Sequence, residues 1–209
     1  MPAEFLELHP VNPQKRFLAQ AAEQLRQGAV IAYPTDSCYA LGCQLDDKAA
    51  AERLRRIRDF DKHHQFTLVC RDLSEIAHYA KVDNWQFRIL KLLTPGPYTF
   101  ILPASKDLPK RLSHEKRKTI GIRIPEHVVA QALLEALGGP LISCTLQFPG
   151  EDQPVSEPQD AEKLLLHSVD LVLDAGNCGL EPTTVIDLSG DAAVLVRQGR
   201  GDVSMLGLS

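Results

Sequence analysis

The stretch VIAYPTDSCYALGC, Val30 to Cys43, starts as an apolar strand, meets Pro34, and then presents Thr35, Asp36, Ser37 and Tyr39 in close succession. Pro, Thr, Asp and Ser are turn formers for local reasons, so the cluster reads equally as a turn and as the rim of a binding site. The patterns on either side of it set the fold class. Before it lies a helix, with Asn12 as N-cap, Pro13 at the first helical position, Phe17, Leu18, Ala21, Ala22 and Leu25 on one face, and Gly28 at its end. After it, LDDKAAAERLRRIRD is a second helix, capped by Asp46 or Asp47, with Glu52 placed to support Arg56 one turn on.

FTLVC is a short buried strand, and the spacings Asp72-x-x-Glu75 and Asp83-x-x-Gln86 resemble capping boxes that open two helices, the second reaching Leu93. TPGPYTFILPAS is a turn feeding a strand, TIGIRIP a strand stopped by Pro125, HVVAQALLEALGG a helix closed by glycine, and PLISCTL a strand. An acidic, proline-bearing loop then enters a helix. VDLVLDAG, TTVIDLS and AAVLVRQG are strands, the last two joined by a Ser-Gly-Asp turn. Interleaved helices and strands that finish in a hairpin imply a mixed sheet in an α/β fold, expected as one domain over residues 1–209.

With 44% hydrophobic and 24% charged residues the chain has the composition of a globular protein with a sizeable core. No apolar run reaches the length of a membrane span and the N-terminus lacks a secretory pattern, so the expected location is cytoplasmic, with no membrane partner. Cys38, Cys43, Cys70, Cys144 and Cys178 stand singly and read as reduced, buried thiols. The histidines are dispersed, and adjacent His63 and His64 would point apart on a regular element, so no structural metal is expected. A net charge of -4 gives no global attraction for nucleic acid, and any such contact needs a local patch.

Neither of the familiar glycine-rich phosphate loops is present, so an anion would be held by side chains at strand and helix ends. Four places qualify: Thr35 to Tyr39; the basic helix end with Arg56, Arg58 and Lys62; Arg123; and Arg197. An arginine inside an apolar strand faces solvent, a partner or a ligand, because burying it unpaired is too costly. Each also has a plainer reading: Arg56 and Arg58 as a solvated helix face, Arg123 or Arg197 turned outward on an edge strand, Thr35 and Ser37 as turn caps. The run KDLPKRLSHEKRK, with Lys116, Arg117 and Lys118 at its end, reads as solvated surface or as a contact for an RNA backbone.

AYPTDSCYALGC, PGPYTFIL, IGIRIP, PLISCTLQFPG, PTTVID and VRQGRGD, in that order, resemble the YrdC family of threonylcarbamoyl-adenylate synthases, and most of all its YciO-like branch. The resemblance implies an open, twisted mixed sheet with a concave face, flanked by helices. It implies ATP with Mg2+ as a substrate complex, L-threonine and bicarbonate as further substrates, and threonylcarbamoyl-AMP and pyrophosphate as products. It places Thr35, Ser37 and Tyr39 in the threonine pocket, Arg58 and Arg123 as catalytic cations, and Thr145, Gln147 and Arg197 at the nucleotide. It also implies contact with double-stranded RNA or tRNA through Lys116, Arg117 and Lys118.

Two departures accompany the matches. Where the family carries Lys-x-Arg, counting back from FTLVC places Arg58-Asp59-Phe60, and Arg56-Ile57-Arg58 would restore a basic pair only by shifting the helix register; where the family carries Ser-x-Asn the chain has Thr145-Leu146-Gln147. The expected function is therefore a synthase-like nucleotide-binding protein with weakened or diverted activity, such as hydrolysis of the adenylate. The alternative is an RNA- or tRNA-binding protein of the same fold without useful turnover.

Overall fold

The computed structural model describes residues 2–61 and 64–208. Lys62 of the basic helix end, and His63, lie outside the described residues. In chain order the elements are β1 (Glu4–Glu7), α1 (Lys15–Arg26), β2 (Ile31–Tyr33), β3 (Ala40–Gln44), α2 (Lys48–Arg58), β4 (Thr67–Val69), α3 (Leu73–Tyr79) and α4 (Asn84–Leu93). There follow β5 (Tyr98–Pro103), β6 (Thr119–Arg123), α5 (Val128–Leu137), β7 (Leu141–Thr145), α6 (Glu162–Ser168), β8 (Leu171–Asp174), β9 (Thr184–Asp187) and β10 (Val194–Arg197). The strands form one open mixed sheet of ten in the order β1-β8-β2-β3-β7-β4-β6-β5-β9-β10. The fold is thus the α/β mixed sheet that the alternation of patterns announces.

Local chemistry explains the boundaries. Asp47 caps α2 by accepting from Ala50 N at 2.8 Å, and Asp72 caps α3 by accepting from Glu75 N at 2.9 Å. The α3 box is only half formed, because Glu75 reaches Arg71 N at 2.7 Å and not its own N-cap. Asp83 N donates to Gln86 Oε1 at 2.6 Å, completing the box of α4. Helix α1 starts later than Asn12 and Pro13 predict: its N-cap is Gln14. Residues 9–12 close a turn of their own, in which His9 Nδ1 accepts from Val11 N and Asn12 N. Glu52 pairs with Arg55 at 3.5 Å, three residues on, and not with Arg56. Strands β1 and β3 have no counterpart in the sequence reading.

The pleat puts alternate residues on opposite faces, and the helices cover those faces unequally. On one face Leu68, Phe100, Leu102, Ile120, Ile122 and Ile142 pack with α2, α3, α4 and α6 through Leu54, Ile76, Leu90 and Leu165. On the other, Ile31, Tyr33, Leu141, Leu171 and Leu173 pack under α1 and α5 through Leu25, Val129 and Leu133. That second cover stops partway across the sheet. Beyond it the same face continues as Thr67, Thr99, Thr119, Gly121, Ser143 and Thr145, which line an open concavity. Tyr33 marks the boundary: its hydroxyl meets Ser143 Oγ at 2.7 Å while its ring crosses β3 at Gly42, where a Cβ would lie 2.9 Å from Cε1. Only glycine leaves that passage open.

At the far rim β10 is a bulged edge strand, irregular between Leu195 and Arg197, with Val194 and Val196 exposed. The chain after it returns over β5, where Tyr98 lies against Gly201 and donates to Asp202 O at 2.8 Å. A methyl group at Gly201 would sit inside the van der Waals envelope of the Tyr98 ring. Gly201→Ala is accordingly expected to lower stability by about 1–3 kcal/mol, the cost of overpacking, measured as a shift in urea midpoint at unchanged slope. A midpoint within error of the parent would show that the returning segment is not packed on Tyr98.

Candidate functional site

Between β2 and β3 the chain makes the turn that the Pro34 to Tyr39 cluster suggests, and it is buried. Thr35 and Ser37 are each 2% exposed. Thr35 Oγ1 donates to Cys38 O at 2.6 Å and accepts from Ser37 N at 3.2 Å, so this hydroxyl closes the turn. Arg123, at the end of β6, is the buried centre of the site. It is paired with Asp36, both side chains being 9% exposed, and its Nη1 donates to Ser37 Oγ at 3.3 Å. The other Asp36 oxygen accepts from Glu126 N at 2.8 Å, at the entrance to α5. The reading of Arg123 as an outward edge residue gives way, because β6 lies between β4 and β5 and its arginine turns into the cleft.

The concavity has two connected parts. A cavity of about 540 Å³ is lined by Arg58, Phe60, His64, Gln147, Arg197 and Arg117 among others. A niche of about 50 Å³ adjoins it, lined by Thr35, Ser37 and Arg123. Thr67, Thr99, Ser143, Cys144, Thr145 and Thr183 line both. The structure therefore gathers Thr35, Ser37, Arg58, Arg123, Thr145, Gln147 and Arg197 along one continuous cleft.

Two guanidinium nitrogens in that cleft, Arg58 Nε and Arg123 Nε, are buried without a hydrogen-bond partner. Such groups carry a full desolvation cost until an acceptor arrives. Arg58 is only half-buried, yet burial lowers its pKa from the ordinary arginine value, with Cys144 acting in the opposite direction. Burial in turn pushes the Cys144 thiol up to about 12, against the pull of Arg58, so at neutral pH it is a neutral wall and not a nucleophile.

The remaining sequence-assigned residues are placed differently. Tyr39 lines neither part: it is fully buried, and its hydroxyl donates to Gly176 O at 2.8 Å and accepts from Ala175 N at 3.0 Å. That hydroxyl anchors the segment after β8. Gln147 Nε2 donates to Glu151 O at 2.7 Å, and Arg197 Nη2 to Thr183 O at 2.9 Å. Lys116 and Lys118 are exposed, and Arg117 reaches the cavity rim, where it meets Asp187 at 3.4 Å. Among the described residues no three His, Cys, Asp or Glu side chains gather where they would hold a metal ion, and no helix is long and apolar enough to cross a membrane.

The sequence reading did not assign His64 and Phe60 to a common wall. Asp59 adopts a left-handed conformation (φ 52) that ends α2 and turns Phe60 back, and the Phe60 ring stacks on His64 at 3.4 Å between centroids. The local signal is a polar residue followed by an aromatic just past a basic helix end, which is too common to single out.

Comparison with known proteins agrees with this architecture. The profile of the Sua5_yciO_yrdC family, described as telomere recombination, matches residues 23–199. The YciO protein of Escherichia coli is 53% identical over 201 residues, 96% of this chain and 98% of that one, and its crystal structure superimposes with a TM-score of 0.92. A threonylcarbamoyl-AMP synthase of Chromobacterium violaceum is 36% identical over 183 residues, 86% of this chain and 92% of its own. The fold is also that of P. abyssi Sua5, crystallised with L-threonine, at a TM-score of 0.86 and 23% identity, covering 93% of this chain and 57% of that one.

The Asp36–Arg123 pair invites a direct test. Removing one partner of a buried ion pair strands the other, so Asp36→Ala is expected to cost about 3–5 kcal/mol of unfolding free energy. Asp36→Ala with Arg123→Met, which leaves no stranded charge, is expected to recover part of that loss. Strictly additive effects, within about 0.5 kcal/mol, would show that the two side chains are not coupled.

Proposed function

The chain belongs to the Sua5/YciO/YrdC family, and on that footing we propose that its cleft holds a threonylcarbamoyl-AMP-type adenylate, with synthase chemistry weakened or diverted toward hydrolysis of that adenylate. One observation carries the reading: Arg58 and Arg123, each with a buried guanidinium nitrogen that has no acceptor, line adjoining compartments of one cleft. A ligand with a carboxylate at one end and a phosphate at the other matches these two cations. The relative named a threonylcarbamoyl-AMP synthase and the Sua5 structure with L-threonine supply the substrate class.

In the niche, Arg123 with the Ser37 hydroxyl takes the amino-acid carboxylate. Asp36 fixes the guanidinium, so little rotamer freedom is lost on binding. In the larger compartment Arg58 takes the phosphate, while Thr145 and Gln147 offer hydroxyl and amide groups to the nucleotide. In the synthase direction the L-threonine amine and bicarbonate condense to a carbamate with loss of water, and a carbamate oxygen attacks the α-phosphorus of ATP. Pyrophosphate leaves with the Mg2+ that arrived on the substrate. The chain itself contributes positioning and charge rather than a covalent step.

Phe60 stands where the family pattern places a second cation. Losing one charge-assisted contact costs about 1.5–3 kcal/mol, and fewer cations mean slower transfer. The test is pyrophosphate release from ATP with and without threonine and bicarbonate. In Phe60→Arg/Gln147→Asn the threonine-dependent rate is expected to rise roughly ten- to a hundredfold, more than in either single variant, and Arg58→Ala in that background to erase the gain. A double variant that folds, binds ATP and turns over no faster than the parent would count against the assignment of Phe60 and Gln147.

A second reading has its own observation. Arg117 and His114 line the cavity while the neighbouring Lys116 and Lys118 are exposed, so the basic run borders the cleft and is not remote from it. An RNA backbone lying on that rim would bind with a steep dependence on salt. Duplex RNA affinity is expected to fall sharply between low and physiological ionic strength, and to weaken further in Lys116→Ala/Arg117→Ala/Lys118→Ala. Salt-independent binding, or binding unchanged in the triple variant, would leave the run as solvated surface.

A further inference from the structure

Past Arg58 the cavity wall is aromatic. Arg55 Nη1 donates to Asp61 O at 2.9 Å and His64 O at 3.0 Å, and its guanidinium lies 4.6 Å over the Phe66 ring. That clamp fixes the segment carrying His64, whose imidazole covers the Phe60 ring with the two planes 14° apart. Arg58 Cζ lies 4.7 Å from the same phenyl centroid. Guanidinium, phenyl and imidazole thus form one stacked tier in the wall of the cavity.

The other arginines of this compartment are committed. Arg117 meets Asp187 at 3.4 Å and Arg197 donates to Thr183 O at 2.9 Å, while Asp152 adds a carboxylate to the lining. Burial, with Arg55 and Arg58, holds His64 below the ordinary histidine value, so its imidazole is neutral at physiological pH. Among the described residues, Arg58 is then the one cation of the compartment with a buried N–H left without an acceptor.

From this arrangement we infer that the cavity selects nucleotides with a single phosphoryl group, acyl-type adenylates and AMP itself, over nucleoside triphosphates. The inference rests on the reading that the cleft holds an adenylate. One guanidinium matches one phosphate dianion in a forked geometry. Each further phosphate adds charge that must be desolvated against the Phe60–His64 surface, while the other described arginines of the cavity, Arg117 and Arg197, already have acceptors of their own. The consequence is a site poised toward the adenylate side of the reaction, where a nucleotide is released or cleaved, more than toward ATP entry.

Calorimetric titration of the full chain with AMP, Mg·ADP and Mg·ATP tests this. Affinity is expected to fall along that series, with AMP bound roughly tenfold more tightly than Mg·ATP, the equivalent of one missing charge-assisted contact. Phe60→Arg is expected to strengthen Mg·ATP binding by a similar factor and to leave AMP within about threefold. Mg·ATP binding the parent as tightly as AMP, or more tightly, overturns the inference while leaving the adenylate reading intact. A folded parent that binds neither nucleotide overturns both. The parent series decides the question even if Phe60→Arg does not fold.

Discussion

The buried pair of Asp36 and Arg123 is the contact on which the cleft depends. It joins the turn between β2 and β3 to the end of β6, and through Glu126 N to the start of α5, so that turn is tied to the β6–α5 junction 90 residues further along the chain. Buried pairs are weak sources of stability, because desolvation offsets most of the Coulomb gain. Their value here is positional. The turn stays shut by the Thr35 hydroxyl, Arg123 keeps one nitrogen unsatisfied, and that nitrogen is held at the narrow end of the cleft.

The two ends of the cleft differ in kind. At the niche a single rigid guanidinium is surrounded by hydroxyls, which suits a small carboxylate. At the larger compartment Arg58 is flanked by an aromatic tier where the family pattern has charge. On the proposed adenylate reading, the niche end would take the amino acid and the aromatic end would lack the second cation that a pyrophosphate calls for.

Much of this was legible in the sequence, for identifiable reasons. Asp47, Asp72 and Asp83 announce their helices because a cap is a local contact between near neighbours. The hairpin of β9 and β10 is local as well. Strand β1 escapes a sequence reading because an apolar pair between two glutamates, without the alternation of a strand, has no meaning until β8 lies alongside it, 167 positions on from Glu4 to Leu171. The register of β3 rests on Tyr33 crossing Gly42, a contact no periodicity encodes. In the site, Arg123 and Arg58 stood out as charges in apolar or basic contexts. Tyr39 was placed with the ligand because it sits among residues that do line the cleft, whereas its partners, Ala175 and Gly176, belong to a distant segment.

The partial cover of one sheet face has a consequence for how such a chain changes over time. Along β5 and β6 the residues facing the helices, Phe100, Leu102, Ile120 and Ile122, are locked by close packing, while their immediate neighbours Thr99, Ile101, Thr119 and Gly121 face the open cleft. Replacing a cleft residue leaves the packed layer beneath it untouched. Folding and ligand choice are thereby written on alternate letters of the same strands, so a lineage can rewrite the strand lining of its cleft without rebuilding its core.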